Sequence, residues 1–309
     1  MQIGLMLEGQ HGLTWERWQN ILGAAERLGF GFVFRSDHFT DASGPYQESL
    51  ECWVSLTHAA SYTRRIEFGS MVSPITFRHP ALLARMAAAV DDLSGGRLIL
   101  GLGAGWQERE HHNFGIPFHD FPTRYAMFEE GLEVTTRLLR SDTPVSFQGK
   151  HFSLDDAILL PRPKRPTPLL IGGNGPTKTL PLAARYANEW NGVYVTPEKY
   201  RELNTLLDQL CTQNNRNPHD ITRSVMTRVD YFVDDAERDA HLAKQNVTLD
   251  SFRREGQSIA GTTAQVIEQI RAYADAGCQR IMLQWLDLDD LPRLEAMASA
   301  ILPAFSGMA

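Results

Sequence analysis

Three groups of residues in this sequence have the types and spacing to do chemistry together. The first is the turn Gly172-Gly173-Asn174-Gly175-Pro176-Thr177, entered directly from the apolar run Pro168-Leu169-Leu170-Ile171 and followed by a helical pattern. Glycines let backbone N–H groups approach an anion, and a helix start adds the positive end of its dipole, so the segment suits a phosphate. An ordinary tight strand-to-helix turn uses the same residues. The second group is Ser36-Asp37-His38, where an acid beside an imidazole at a strand end could move protons near neutral pH. A loop that caps itself with Ser and Asp is the alternative reading. The third is Glu8, with Gln10, at the end of the first apolar run: a carboxylate that could bind substrate or simply solvate a rim.

Two further runs are rich in small residues. Phe68-Gly69-Ser70-Met71-Val72-Ser73-Pro74 suits a bulge against a flat ligand, and Gly101-Leu102-Gly103-Ala104-Gly105-Trp106 leaves room at a strand end for something large. The latter has half of a dinucleotide fingerprint, but its third glycine is misplaced and its strand is the fourth, which argues against a dinucleotide fold. Glu108, Glu110, His111, His112 and His119 form the sole His/acid cluster. It lacks the helical two-histidine spacing of metalloproteases and reads as a polar rim loop, so no metal site is assigned. Arg78-His79-Pro80 reads as helix-entry chemistry. No G-x-S-x-G elbow occurs, and no lysine ends a strand where it could form a Schiff base.

The elements that must position these groups alternate regularly. Strands are expected at 3–7, 32–35, 66–72, 97–102, 169–171, 189–193, 224–233 and 280–284, all too apolar to face water. Helices fit at 14–28, with Thr14 as cap and Gly29 as stop, and at 51–62, 81–93, 123–139, 177–186, 197–211, 262–276 and 288–301. Eight β-then-α units close naturally into a (β/α)8 TIM barrel, an α/β fold whose active sites gather at the C-terminal strand ends. A doubly wound open sheet is the rival. The expected organisation is one domain over 1–309, with an insertion between helix four and strand five at about 143–167. There Pro144–Phe152 alternates like a hairpin, and Pro161, Pro163, Pro166 and Pro168 stiffen a linker.

Composition limits the function further. With 30 Lys+Arg against 37 Asp+Glu, the net charge of −7 argues against nucleic-acid or acidic-membrane binding. Three widely spaced cysteines fit neither a disulfide framework nor a zinc module, which points to a reducing cytoplasm. The first residues have no basic n-region, and no apolar run approaches membrane-spanning length.

Phe34-Arg35-Ser36-Asp37-His38, Gly69 to Pro80, Gly96 to Gly115 and Ile171 to Asn191 together carry a resemblance that extends over about 2–305. The chain resembles the bacterial luciferase-like flavin and deazaflavin oxidoreductases, and more closely their branch using coenzyme F420. The resemblance implies a cofactor ring across the barrel mouth with its phosphate arm at the fifth strand. On it, Gly173, Asn174, Gly175 and Thr177 match the phosphate cradle, helped by Thr196. Met71–Val72 matches a non-proline cis peptide that backs the ring, and Gly103 and Ala104 match small residues beside it. Asp37 and His38 match the pair at the ring's reactive edge. Where sugar-phosphate dehydrogenases of the family carry a carboxylate just after the strand-four glycines, this chain has Trp106, so their substrate does not transfer. The segment after strand seven lacks the long loop of light-emitting members.

The expected function is therefore hydride transfer between reduced F420 and a small organic acceptor such as an enone or imine. His38 is the expected proton donor or relay, oriented by Asp37, with Glu8 as a second candidate. An FMN-dependent monooxygenase using oxygen is the alternative, and a non-catalytic flavin-binding barrel the third reading. The resemblance also implies a homodimer, for which Trp15, Trp18 and helix 51–62 are candidate contacts.

Overall fold

The computed structural model describes residues 1–306. In chain order its strands are β1 (Gln2–Leu7), β2 (Phe32–Arg35), β3 (Glu67–Ser70), β4 (Ser73–Pro74), β5 (Leu98–Gly103), β6 (Val145–Gln148), β7 (Ser153–Ala157), β8 (Leu169–Gly172), β9 (Glu189–Val193), β10 (Thr222–Tyr231), β11 (Ser258–Gly261) and β12 (Arg280–Gln284). Its α-helices are α1 (Trp15–Leu28), α2 (Cys52–Tyr62), α3 (Pro80–Ser94), α4 (Glu108–Asn113), α5 (Phe121–Arg140), α6 (Thr179–Tyr186), α7 (Pro197–Gln213), α8 (Asp235–Gln245), α9 (Leu249–Gly256), α10 (Thr263–Asp275) and α11 (Leu291–Ile301).

Eight strands close a parallel ring. β1 pairs with β2 on one side and β12 on the other; the ring then runs β2, β3, β5, β8, β9, β10 and back to β12. This is the expected TIM barrel, with its helices outside. The open sheet is excluded because β10 pairs with both β9 and β12. Helices begin where the sequence supplies caps: Thr14 accepts from the Arg17 N–H ahead of α1, and Gly29 ends it at φ 94°.

Side chains fill the ring's interior rather than leaving a pore. Met6, Phe32, Phe34, Met71, Ile99, Leu170, Met226 and Met282 form that inner cluster. Gly4 makes room for it, since a Cβ there would lie 2.1 Å from the Phe32 ring. The inner residues end below the C-terminal strand ends, which stay open.

Four expectations need adjustment. The strand expected at 66–72 is broken into β3 and β4 on either side of Met71–Val72, whose peptide bond is cis as the resemblance implied. The segment after strand seven, to which the sequence assigns no element, holds α8, α9 and the extra strand β11, which pairs with the outer half of β10. The rim loop at 108–113 is helix α4. Trp18 is fully buried, its Nε1 donating to the Ser55 carbonyl at 3.0 Å, so it is core and not a dimer contact. Between α5 and β8 the chain forms the antiparallel hairpin β6–β7, apart from the barrel sheet.

No helix is long and apolar enough to cross a membrane among the described residues. The three cysteines are free and buried.

Candidate active site

The C-terminal ends of the strands surround a cavity of about 790 Å³. That volume lies in the range of small-molecule and cofactor sites. Its floor includes Val72 and two glycines that carry no side chain. Val72, beside the cis bond, lies between Gly103 at the end of β5 and Gly172 at the end of β8. A Cβ on Gly103 would come within 2.5 Å of Val72 Cγ2, and one on Gly172 within 3.4 Å of Cγ1. The absence of side chains at these two positions leaves the Val72 face free for a planar group.

His38 stands at one edge, in the loop after β2. Its Nδ1 lies 2.8 Å from Glu110 Oε1, and Trp106 meets its ring edge-on at 5.6 Å. The other Glu110 oxygen accepts the Phe39 N–H at 2.8 Å, so the buried carboxylate locks both the imidazole and the loop carrying it. With Nδ1–H committed to Glu110, Nε2 is the atom left to exchange a proton. Burial alone would lower the His38 pKa; the hydrogen bond and charge of Glu110, with smaller help from Glu8 and Asp37, outweigh it and raise the value.

Asp37 does not take the place expected of it. Its buried carboxylate accepts from Arg78 Nη1 (2.6 Å), Arg78 Nη2 (3.2 Å) and Ser73 Oγ (2.7 Å), and it does not line the cavity. Arg78, which the sequence presents as helix-entry chemistry, is thus the counter-ion that lets Asp37 be buried. The carboxylate that meets His38 comes from Glu110 instead.

Glu8, just past β1 and so on the strand next to the one that leads to His38, also lines the cavity. Gln284 Nε2 donates to its Oε1 (2.6 Å) and Gln10 Nε2 to its Oε2 (2.9 Å). Behind them, Tyr194 Oη donates to Gln284 Oε1 (2.7 Å) and Ser36 Oγ to Gln10 Oε1 (2.7 Å). Burial, then the charge of Glu8, pushes the Tyr194 pKa up to about 12, so this hydroxyl keeps its proton. Tyr194 and Gln284 were not singled out from sequence. Both stand at strand ends, Tyr194 directly after β9 and Gln284 last in β12, and the barrel rule applied to those strands would have found them.

The glycine turn after β8 sits at the cavity margin. Gly173 lines the cavity, and its N–H is used by Asn191 O at 2.9 Å. The Asn174 side chain clamps the neighbouring strand end, donating to Val193 O (2.7 Å) and accepting from Val193 N (2.9 Å). The backbone N–H groups of Asn174, Gly175 and Thr177 donate to no backbone or side-chain acceptor among the described residues. The N-terminus of α6 that follows has no side-chain cap. Unused donors at an uncapped helix start are a ready anion site. Thr196 is exposed, caps α7 through Lys199 N and does not line the cavity. Ala104 lines it. Among the described residues, no group of three His, Cys, Asp or Glu side chains is placed to hold a metal ion.

The family profile described as luciferase-like monooxygenase matches residues 1–252. The chain belongs to that family. This luciferase-like protein is 28% identical to an F420-dependent glucose-6-phosphate dehydrogenase of Intrasporangium calvum, over 92% of its own length and 93% of the relative's. It is 30% identical to a pyrimidine monooxygenase, RutA, of a Bradyrhizobium species, over 67% of its length and 59% of that protein's. Among solved structures, an F420-dependent secondary alcohol dehydrogenase in complex with an F420-acetone adduct superposes with a TM-score of 0.85 at 21% identity, covering 98% of each chain. The luciferase-like protein therefore has an oxidoreductase fold and lineage in which relatives with both F420 and monooxygenase names occur.

Proposed function

We propose that this protein is an F420-dependent oxidoreductase that exchanges a hydride between the deazaflavin and a small organic substrate in the cavity at the barrel mouth. The observation that carries the reading is the juxtaposition of a floor bare of side chains, Val72 between Gly103 and Gly172, with the His38 imidazole, held by Glu110, at its edge.

The residues fit the cofactor on grounds of this structure alone. Val72, Gly103, Ala104 and Gly172 would hold a planar ring, and the unused N–H groups of Asn174, Gly175 and Thr177, beside Gly173, would hold its phosphate. Bound there, F420 supplies two-electron hydride chemistry; the protein supplies position and a proton. His38 holds or accepts that proton at Nε2 while Glu110 fixes the ring and stabilises its charged form. The apolar floor faces one side of the reacting centre, and Trp106 stands beside the His38 ring at the mouth. Met71 backs the floor from within the barrel. Asp37 acts at one remove, through the ion pair that holds the β2 and β4 ends together.

The full-length relationship to an F420-dependent dehydrogenase favours this cofactor. The family description and the pyrimidine monooxygenase relative favour a second reading, FMN with oxygen in the same cavity. Titrating the purified protein with F420 and with FMN, followed by fluorescence, separates them. Tight F420 and weak FMN binding supports hydride exchange; the reverse ranking overturns it and points to oxygen-uptake assays.

A further inference from the structure

Five titratable side chains line the cavity: Glu8, His11, His38, Tyr194 and Arg228. Three of them have ionic partners. His11 Nε2 lies 2.7 Å from Asp41 Oδ2, His38 Nδ1 lies 2.8 Å from Glu110 Oε1, and Arg228 Nη2 lies 2.7 Å from Asp230 Oδ1. Glu8 has no cationic partner within salt-bridge distance among the described residues, although it is half-buried.

The hydrogen bonds around Glu8 explain how the fold tolerates this. Both of its oxygens accept from neutral amides, Gln10 and Gln284. Each amide is oriented from behind by a hydroxyl that donates to its carbonyl oxygen, Ser36 for Gln10 and Tyr194 for Gln284. The backbone N–H of Gly9 in turn donates to Ser36 Oγ at 3.0 Å. Each of these hydrogen bonds runs toward the carboxylate, whose two oxygens act as acceptors. Amides solvate the charge without cancelling it. The Tyr194 hydroxyl spends its one proton on Gln284, so only lone pairs remain on that oxygen for anything in the cavity.

We propose that Glu8 is the recognition group for a cationic nitrogen on the substrate, a protonated amine or iminium, with the Tyr194 oxygen as a second acceptor. This rests on the reading of the cavity as the substrate site. It narrows the substrate class: an amine and the iminium two electrons above it share the charged N–H group that this wall is built to accept. The exposed face of Trp106 at the mouth, 65% accessible, adds a surface that attracts cations. Arg228 does not oppose the assignment, since Asp230 holds both its Nε (3.1 Å) and its Nη2 (2.7 Å).

Three probes of one shape test this: cyclohexylammonium, cyclohexanol and cyclohexanecarboxylate, titrated calorimetrically at pH 7, where the amine is charged. Each is measured on the protein alone and on the protein saturated with F420. The ammonium is expected to bind at least about tenfold tighter than the alcohol, and the carboxylate weakest, as a charge-assisted hydrogen bond to an unpaired carboxylate implies. Its advantage should shrink as salt rises and vanish in a folded Glu8→Gln variant. Equal binding of ammonium and alcohol to the wild type overturns the proposal without any variant, and so does an ammonium preference that survives in Glu8→Gln. Failure of F420 to bind would count against the cofactor reading, while the probe ranking on the protein alone would still decide this one.

Discussion

His38 and Glu110 are separated by 72 residues in sequence and by 2.8 Å in space, imidazole nitrogen to carboxylate oxygen. One comes from the loop after β2, the other from the short helix α4 after β5. The pairing makes a histidine at a half-buried cavity edge more basic than burial alone would leave it. The raised value also carries a stability sign. The pair's contribution is fully present below the ordinary histidine pKa and declines as pH rises through the elevated one.

The pH profile of turnover should report this pair. If His38 delivers a proton, kcat/KM falls as pH rises through its elevated pKa. Glu110→Gln removes both leading causes of the elevation, so the midpoint should move to lower pH, with kcat reduced about 10²-fold as for loss of a general acid's orienting partner. An unchanged midpoint in a folded Glu110→Gln protein would show that another group titrates.

Arg78 should matter to stability more than its sequence position suggests. It is the cation that neutralises buried Asp37. Arg78→Met leaves that carboxylate with only the Ser73 hydroxyl and should cost about 3–5 kcal/mol in urea unfolding. A loss below about 1 kcal/mol would mean that Asp37 is not held by this pair.

The bare floor can be filled deliberately. Gly103→Ala places a methyl 2.5 Å from Val72 Cγ2, which forces a shift costing about 1–3 kcal/mol. The same shift intrudes on the ring site, so cofactor affinity should fall more than tenfold while Ala104→Gly, which only removes a methyl, leaves it within a few-fold. Equal effects of the two substitutions would remove Val72 from the proposed site.

Acid should loosen two loop clamps away from the site. Glu26 accepts the N–H groups of Arg64, Arg65 and Ile66, and Glu130 those of Lys150, His151 and Phe152. Burial pushes both carboxyls up, but the three backbone hydrogen bonds prevail and hold both below the ordinary 4.5. Their contribution is present above that value and lost as pH falls through the lowered ones. In Glu26→Gln and Glu130→Gln, the slope of unfolding free energy against pH should flatten below about pH 4.5. Slopes matching the wild type's would locate acid sensitivity elsewhere.

Much of the barrel was legible because its strands are buried on both faces and read as unbroken apolar runs. The stretch 235–256 was not, because only Leu242 of α8 and no residue of α9 is buried, so neither helix carries a run of core residues that would mark it in sequence. β11 is only Ser-Ile-Ala-Gly and joins a strand already paired on both sides. At the site, Glu8 and His38 were visible by the rule that chemistry gathers at strand ends. Glu110 was visible only as one of several charged residues on a rim. Nothing local distinguishes it from Glu108; its burial depends on α4 folding back over the loop that carries His38. Asp37 was misplaced for the same reason, since three elements, α2, β3 and β4, separate it from its partner Arg78.

Glu8 belongs to the first strand and Gln284 to the last, and their hydrogen bond lies across the seam where β1 meets β12. That wall of the cavity therefore does not exist in any partial barrel, however well its other strands are formed. During synthesis, the chain acquires it only when the twelfth strand is released and inserts beside the first. Ligand recognition at this wall is in effect a readout of ring closure. A refolding experiment that follows ligand capture alongside circular dichroism would time the last act of folding separately from all those before it.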